Sequence, residues 1–189
     1  MRPLGFAVVS LIVPMMQHVP HSHQNGCGVQ ITYSTYAVHG SSLAEIRASM
    51  KQHGPVDELG VRRHAITKWK VTWKWDRDLD GNVRADSVSI QCSASIVLPQ
   101  LENEGSLSPE EQQAWSSYSA RLKAHELNHV KHIDSLAPEI LDRIRVRAHR
   151  SGKIKAPVAQ RIASGVLQEA RELDRSYDHS TKHGKTEGL

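Results

Sequence analysis

The feature that most constrains the fold is a long amphipathic segment that carries the pattern H-E-x-x-H at residues 125–129. Ser108 and Pro109 have the residue types of a helix N-cap and first position, and Glu111 completes a capping box. The apolar residues that follow recur at helical spacing: Trp115, Tyr118, Leu122, Val130, Ile133 and Leu136. His125 and His129 lie on or beside this stripe, so they are predicted to face the protein and not bulk water. Pro138 should kink or divide the helix near residues 134–137.

The same pattern has a chemical meaning. Residues four apart on a helix lie about 40° apart around the axis and one turn along it, so two imidazoles can converge on one metal ion. Glu126 falls on the flank of that face, where its carboxylate could act as a general base towards a metal-activated water. The pattern therefore predicts two zinc ligands, His125 and His129, and one catalytic residue, Glu126. The alternative is a solvated, charged helix face without a metal.

Three segments alternate between apolar and polar residues and are predicted to be strands: residues 29–38, 67–75 and 88–98. In the second, Trp69, Val71 and Trp73 alternate with three lysines and Thr72, which favours a buried aromatic face and a solvated cationic face over base stacking on nucleic acid. The third should return beside it and end at Pro99. A last helix is predicted to start at Pro157 and run to Tyr177.

The N-terminal residues resemble an export signal, with Arg2 before an apolar run that is too short to span a bilayer. We therefore expect residues 1–24 to be a signal peptide or exported leader, residues 25–184 a single domain and residues 185–189 a tail. This predicts a periplasmic or secreted protein without a stable membrane span after export. The two cysteines, Cys27 and Cys92, fit one disulfide in an oxidising compartment, although two free buried thiols are the alternative.

A catalytic zinc site needs a third protein ligand. The candidates are Asp178, His132, His179 and His183, with glutamates further away along the chain. His132 points the same way as His125 but lies about 10 Å along a straight helix, which favours a role at the rim of the site. The stretch 177–184 is the better source, because it follows a helix that can pack antiparallel on the first. Asp178 could bind the metal directly or orient a ligating histidine.

The chain resembles a bacterial family of predicted secreted zinc-dependent proteases, which is the domain-of-unknown-function group with the number nine-two-two. The similar features run from about Ile31 to Gly184. They include the strand 69–75, the H-E-x-x-H element and a tail of the form Y-D-x-x-T-x-H-G at 177–184. The resemblance implies that His183 is the third zinc ligand. Many members have Gly where this chain has Asn128, and Asn fits a helix at least as well.

Together these observations predict an α+β, zincin-like domain in which a small antiparallel sheet packs against a long H-E-x-x-H helix and a C-terminal helix. The expected function is that of an exported zinc hydrolase, most simply a metallopeptidase acting on a peptide or protein. Tyr177 or Tyr118 could hold the oxyanion. The alternative is a metal-binding envelope protein without catalysis. A third hypothesis, anion binding by the basic run 143–155, is less favoured than helix-end stabilisation, and no nucleic acid partner is expected.

Overall fold

The computed structural model describes residues 26–189 of the 189-residue chain. The predicted leader, residues 1–24, lies outside the described residues. The chain forms the following helices and strands: β1 (Gln30–Val38), α1 (Leu43–His53), β2 (Ile66–Lys74), β3 (Ser89–Leu101), α2 (Pro109–Leu136), α3 (Glu139–Ser151) and α4 (Ala156–Thr181). Short 3-10 turns lie at Ala85–Ser87, Glu104–Ser106 and Lys185–Glu187. The predicted α+β class is confirmed.

The sheet has three strands in the order β1-β3-β2. β2 and β3 pair antiparallel, as expected for a hairpin, with Trp69 opposite Ala94. β1 pairs parallel with β3, so the sheet is mixed and the prediction of an antiparallel sheet holds only for the hairpin. The parallel pairing arises because α1 and β2 both intervene before the chain returns as β3 in the direction of β1.

β3 is longer than predicted, because it continues through Pro99 to Leu101. The register explains how a proline is tolerated there. β2 pairs with β3 only as far as Val97, whereas β1 still pairs with it at Pro99 and Leu101. Beyond Val97, β3 therefore has a neighbour on one side only, and a proline that lacks an N–H fits such a position.

Helix α2 begins as the sequence predicts. Ser108 and Glu111 form a reciprocal capping box, and Pro109 occupies the first turn. The predicted division at Pro138 is confirmed, since α2 ends at Leu136 and α3 begins at Glu139. The buried residues of α2 include Trp115, Tyr118, Leu122, Val130 and Ile133, so its apolar stripe packs into the core.

Helix α4 packs antiparallel on α2. His125 contacts Asp178, while His129, one turn further along α2, contacts Asp174, one turn earlier on α4. The small residues Ala159, Ala163 and Ala170 on α4 are fully buried, which permits close packing. This pairing places the end of α4 beside the H-E-x-x-H turn.

The predicted disulfide between Cys27 and Cys92 is present and fixes the segment before β1 to the middle of β3. None of the helices within residues 26–189 is long and apolar enough to cross a membrane. The predicted tail, residues 185–189, folds back on the domain. Its Leu189 packs against the cluster that contains Trp115 and Tyr118.

Candidate metal centre

The three residues of the H-E-x-x-H pattern are almost completely buried. His125, Glu126 and His129 are 6%, 5% and 9% exposed. They are buried because the turn of α2 that carries them lies between the sheet and α4. A buried charge or imidazole needs a partner, and each of these side chains has one.

Asp178, in the last turn of α4, lies between the two histidines. Its Oδ1 is 3.2 Å from Nε2 of His125 and 3.2 Å from Nε2 of His129. Donor atoms about 2.0–2.1 Å from a tetrahedral metal ion are about 3.3 Å apart, so these separations suit a bound metal ion as well as the hydrogen bonds of the metal-free protein. The three residues together form a group that could hold a metal ion, with donor atoms within 4.8 Å of one another.

The other nitrogen of each imidazole is held by a carboxylate. Nδ1 of His125 is 2.7 Å from Oε2 of Glu187, and Nδ1 of His129 is 3.0 Å from Oδ1 of Asp174. A hydrogen bond of this kind fixes the ring and leaves the opposite nitrogen, Nε2, free to ligate. Both Nε2 atoms face Asp178, so the arrangement fits a metal bound by two histidines and one aspartate.

Asp174 serves more than one partner. Its Oδ1 is also 2.8 Å from Nδ1 of His132, and its Oδ2 accepts a hydrogen bond of 2.7 Å from Nε1 of Trp69. His132 therefore lies at the rim of the site, as the helix geometry predicts. His129, His132 and Asp174 make up a second group whose atoms could hold an ion.

Glu126 points towards β2. The Thr67 hydroxyl donates to Oε2 of Glu126 at 2.7 Å and is 3.1 Å from the Glu126 backbone oxygen. Burial raises the pKa of Glu126, although the hydrogen bond from Thr67 and the charges of His129 and His125 oppose the rise. A raised pKa makes the carboxylate of Glu126 a stronger base, which suits it to take up a proton.

The carboxylates also set the charge of the ligand residues. Burial lowers the pKa of His129, but hydrogen bonds to Asp174 and Asp178 outweigh this effect and raise its pKa to about 10. Burial likewise opposes the charged form of Asp178, yet hydrogen bonds from His125 and His129 hold its pKa below the usual range. Without metal, His129 therefore carries a proton at neutral pH, and a metal ion must displace it.

The two tyrosines named from the sequence occupy different places. The hydroxyl of Tyr177 donates to Glu187 and accepts from Asn128, both at 2.7 Å, and its ring stacks on His125. The hydroxyl of Tyr118 lies 2.6 Å from Nδ1 of His64. Tyr177 thus supports the histidine and its carboxylate, whereas Tyr118 belongs to the wall of a cavity.

That cavity has a volume of about 470 Å³ and runs along α2. Its lining includes Tyr118, Leu122, His125, Glu126 and His129, which span about three turns of the helix. The group that could hold a metal ion thus lies on the wall of this cavity.

The third ligand implied by the resemblance, His183, lies beside the group and not within it. Its Nδ1 is 3.5 Å from Oδ2 of Asp178, and its side chain is 52% exposed. His179 is exposed on the outer side of α4. The structure brings Asp178 to the position next to both Nε2 atoms, because the helix continues to Thr181 and keeps residue 178 on the face that meets α2. The ligand role of His183 stays a prediction.

Three residues of the site were not identified from the sequence: Asp174, Glu187 and Thr67. A signal existed for Asp174, since Asp174 and Asp178 have the same four-residue spacing as His125 and His129. Two helices packed antiparallel through such pairs bring the four side chains together. Glu187 and Thr67 come from a turn and a strand, and no local pattern identifies them.

Residues 33–184 match the model of a family described as "Bacterial protein of unknown function (DUF922)". The chain belongs to the DUF922 family. The family predicted from the sequence is thus confirmed, and its description leaves the activity of DUF922 proteins open. Neither the curated proteins nor the solved structures gave a match.

Proposed function

We propose that this DUF922 protein is an exported zinc-dependent hydrolase, most simply a metallopeptidase. The observation that carries the proposal is the combination of two buried Nε2 atoms and one carboxylate oxygen at zinc-ligand separations, next to a buried glutamate. A solvated helix face would show neither the burial nor the orienting carboxylates.

In this proposal His125, His129 and Asp178 would hold the metal, and zinc fits their two nitrogen atoms and one oxygen atom. A bound zinc ion would supply a Lewis acid that lowers the pKa of water and polarises a carbonyl group. Once a metal ion has displaced the Nε2 protons, the hydrogen bonds to Glu187 and Asp174 would hold the remaining proton of each imidazole on Nδ1.

Glu126 acts as the general base. Its carboxylate takes a proton from the attacking water as the water oxygen forms a bond to the scissile carbonyl carbon, and it delivers that proton to the amine as the carbon–nitrogen bond breaks. The hydrogen bond from Thr67 to Oε2 holds one carboxylate oxygen, so the other is left to face the cavity. Of the two tyrosines, Tyr118 is the one that lines the cavity, so it is the better placed to donate to an oxyanion.

The proposed location is the periplasm or the exterior of the cell. The disulfide supports an oxidising compartment. The basic run 143–155 does not favour nucleic acid as a partner, because several of its cations are already paired. Arg143 pairs with Glu139 and Glu169, and Lys153 pairs with Asp80.

The second candidate is a metal-binding envelope protein without catalysis. It is supported by the position of His183, whose Nδ1 lies 3.5 Å from Asp178 Oδ2 and could close the fourth position of a structural site. It is also supported by the second group of potential donors around Asp174.

One experiment separates the two candidates. The purified protein and its Glu126→Gln variant are assayed for zinc content and for cleavage of a peptide library. The matched control is Glu110→Gln, an exposed glutamate of the same helix. We expect the Glu126→Gln variant to retain zinc and lose at least about 100-fold in turnover, while the control keeps both. Unchanged turnover in the Glu126→Gln variant would refute its role as the base, and zinc binding without any cleavage by the wild type would favour the second candidate.

A further inference from the structure

The charges around the cavity are unevenly paired. A smaller cavity lies next to the cavity beside the histidines, and Tyr118 lines both. Five exposed cations line one cavity or the other: Arg47, Arg62, Arg121, Lys182 and Lys185. Within residues 26–189, none of these five has a carboxylate at ion-pair distance. The guanidinium groups of Arg62 and Arg121 donate to the backbone oxygens of Gly54 and Gly188.

The carboxylates that line the cavity are already engaged. Asp57 accepts from Arg63 and from the backbone N–H groups of Leu59 and Val61. Asp174 and Asp178 are bound to imidazole nitrogens. The carboxylates on the wall of the cavity are therefore already occupied by partners other than these five cations.

The second, smaller cavity has a volume of about 280 Å³ and lies next to the first, and Tyr118 lines both. Its lining combines the apolar side chains Leu43, Ile46, Met50 and Trp115 with Arg47 and Arg121. Cations of one sign around walls of low dielectric constant concentrate the field in the cavity and attract anions to it. A ligand that extends along α2 from the histidines towards Tyr118 would approach these cations.

The backbone at Lys182 gives an independent indication. Lys182 and His183 have φ angles of +50° and +54°, and within residues 26–189 they are the two non-glycine residues in the left-handed region. Such a conformation is uncommon for residues other than glycine and clusters at binding and catalytic sites. Here it turns the chain sharply after α4 and brings both Lys182 and Lys185 to the wall of the cavity.

Building on the proposed peptidase function, we propose that the site selects an acidic peptide, with carboxylate groups that lie at the Tyr118 end of the cavity. The carboxylates come either from Asp or Glu side chains or from a free C-terminus. In both cases they replace the missing partners of the five cations, and the apolar part of the peptide covers the second cavity.

The test is a binding experiment with the zinc-loaded Glu126→Gln variant and three fluorescent peptides of otherwise identical sequence. The first contains Glu and an amidated C-terminus, the second contains Gln and an amidated C-terminus, and the third contains Gln and a free C-terminus. At low salt we expect the Glu peptide or the free-carboxylate peptide to bind about tenfold more tightly than the neutral one, and the ratio to fall towards one as salt is added. Which of the two carboxylate peptides gains affinity identifies the source of the charge.

Charge reversal assigns the effect to the cavity. Arg47→Glu combined with Lys185→Glu should abolish or invert the preference, and the milder Arg47→Gln with Lys185→Gln should reduce it if the double reversal does not fold. The matched control is Arg161→Glu, an exposed residue of α4 about 20 Å along the helix from Asp174, which should leave the preference unchanged.

Equal affinity for the three peptides at low salt, or a preference that the cavity variants leave intact, overturns the inference. The outcome is separable from that of the proposed function. A wild-type protein that cleaves neutral and acidic peptides equally well is a peptidase without this selectivity. An acid preference in binding with no cleavage by the wild type supports the acidic ligand and refutes the peptidase.

Discussion

Substitution of Asp174 gives the sharpest test of the proposed metal centre, because its carboxylate orients the proposed ligand His129 and does not bind the metal in this proposal. Its Oδ1 is 3.0 Å from Nδ1 of His129 and 2.8 Å from Nδ1 of His132, and its Oδ2 is 2.7 Å from Nε1 of Trp69. The substitution Asp174→Asn keeps the shape but removes the charge and turns one of the two acceptors into a donor. Either Trp69 or the histidines then meet an N–H group where they had an oxygen.

The size of the effect follows from these contacts. Loss of a carboxylate that orients a ligating histidine typically weakens metal binding 10- to 100-fold, which is about 1.4 to 2.7 kcal/mol. We expect Asp174→Asn to lie at the upper end, because its side chain is only 18% exposed and has three partners. Glu187→Gln should lie at the lower end, about tenfold, because the Glu187 side chain is 32% exposed and its contact with His125 is therefore less shielded from solvent.

The assay is a competition titration of zinc against a chromophoric chelator at pH 7, with circular dichroism to confirm the fold. Asp142→Asn is the matched control, since its side chain is 73% exposed and its partner Arg145 lies 3.7 Å away on the surface. That variant should bind zinc like the wild type. A folded Asp174→Asn protein with an unchanged zinc Kd would refute the claim that Nε2 of His129 ligates while Nδ1 is held by Asp174.

Three further predictions follow from the same geometry. Asp178→Ala should lower zinc affinity at least 100-fold and His183→Ala less than tenfold, by the same titration, and the reverse order would return the ligand role to His183. Because the pKa of His129 is raised to about 10 in the metal-free protein, zinc uptake at pH 7 should release protons and weaken as the pH falls. Calorimetry in buffers of different ionisation enthalpy measures that release, and its absence would contradict a protonated His129. Replacing Cys27 and Cys92 by Ser opens a loop with a sequence separation of 65 residues and should destabilise the fold by about 4 kcal/mol, measured by denaturant unfolding under oxidising conditions.

Much of the fold could be predicted from local patterns. The capping box at Ser108, the division at Pro138 and the alternation around Trp69 each depend on neighbours in sequence, and the structure has all three. The parallel pairing of β1 could not be predicted in this way. Strand order depends on contacts between distant residues, and the alternation that identifies a strand is the same whichever direction its neighbour runs.

The same distinction between local patterns and distant contacts applies to the residues of the candidate site. His125, Glu126 and His129 are found by spacing because all three lie on one helix. To predict the third donor, one must know which face of α4 meets α2. The sequence predicts that α4 ends at Tyr177, which leaves Asp178 outside the helix, whereas the helix continues to Thr181. Thr67 comes from β2, so no period along the chain connects it to Glu126.

The turn after α4 contributes both to the candidate metal-binding group and to the wall of the cavity. Lys182, His183 and Gly184 all have positive φ angles, of which only the last is free of strain. The turn is held at its start, where the N–H of His183 donates to the Asp178 backbone oxygen at 2.7 Å, and at its end, where Glu187 accepts from Tyr177. Strain of this kind persists only where the surrounding contacts determine the conformation. Because one turn both returns Glu187 to His125 and presents Lys182 to the cavity, the orientation of the histidine and the charge that meets the ligand are fixed by the same few residues.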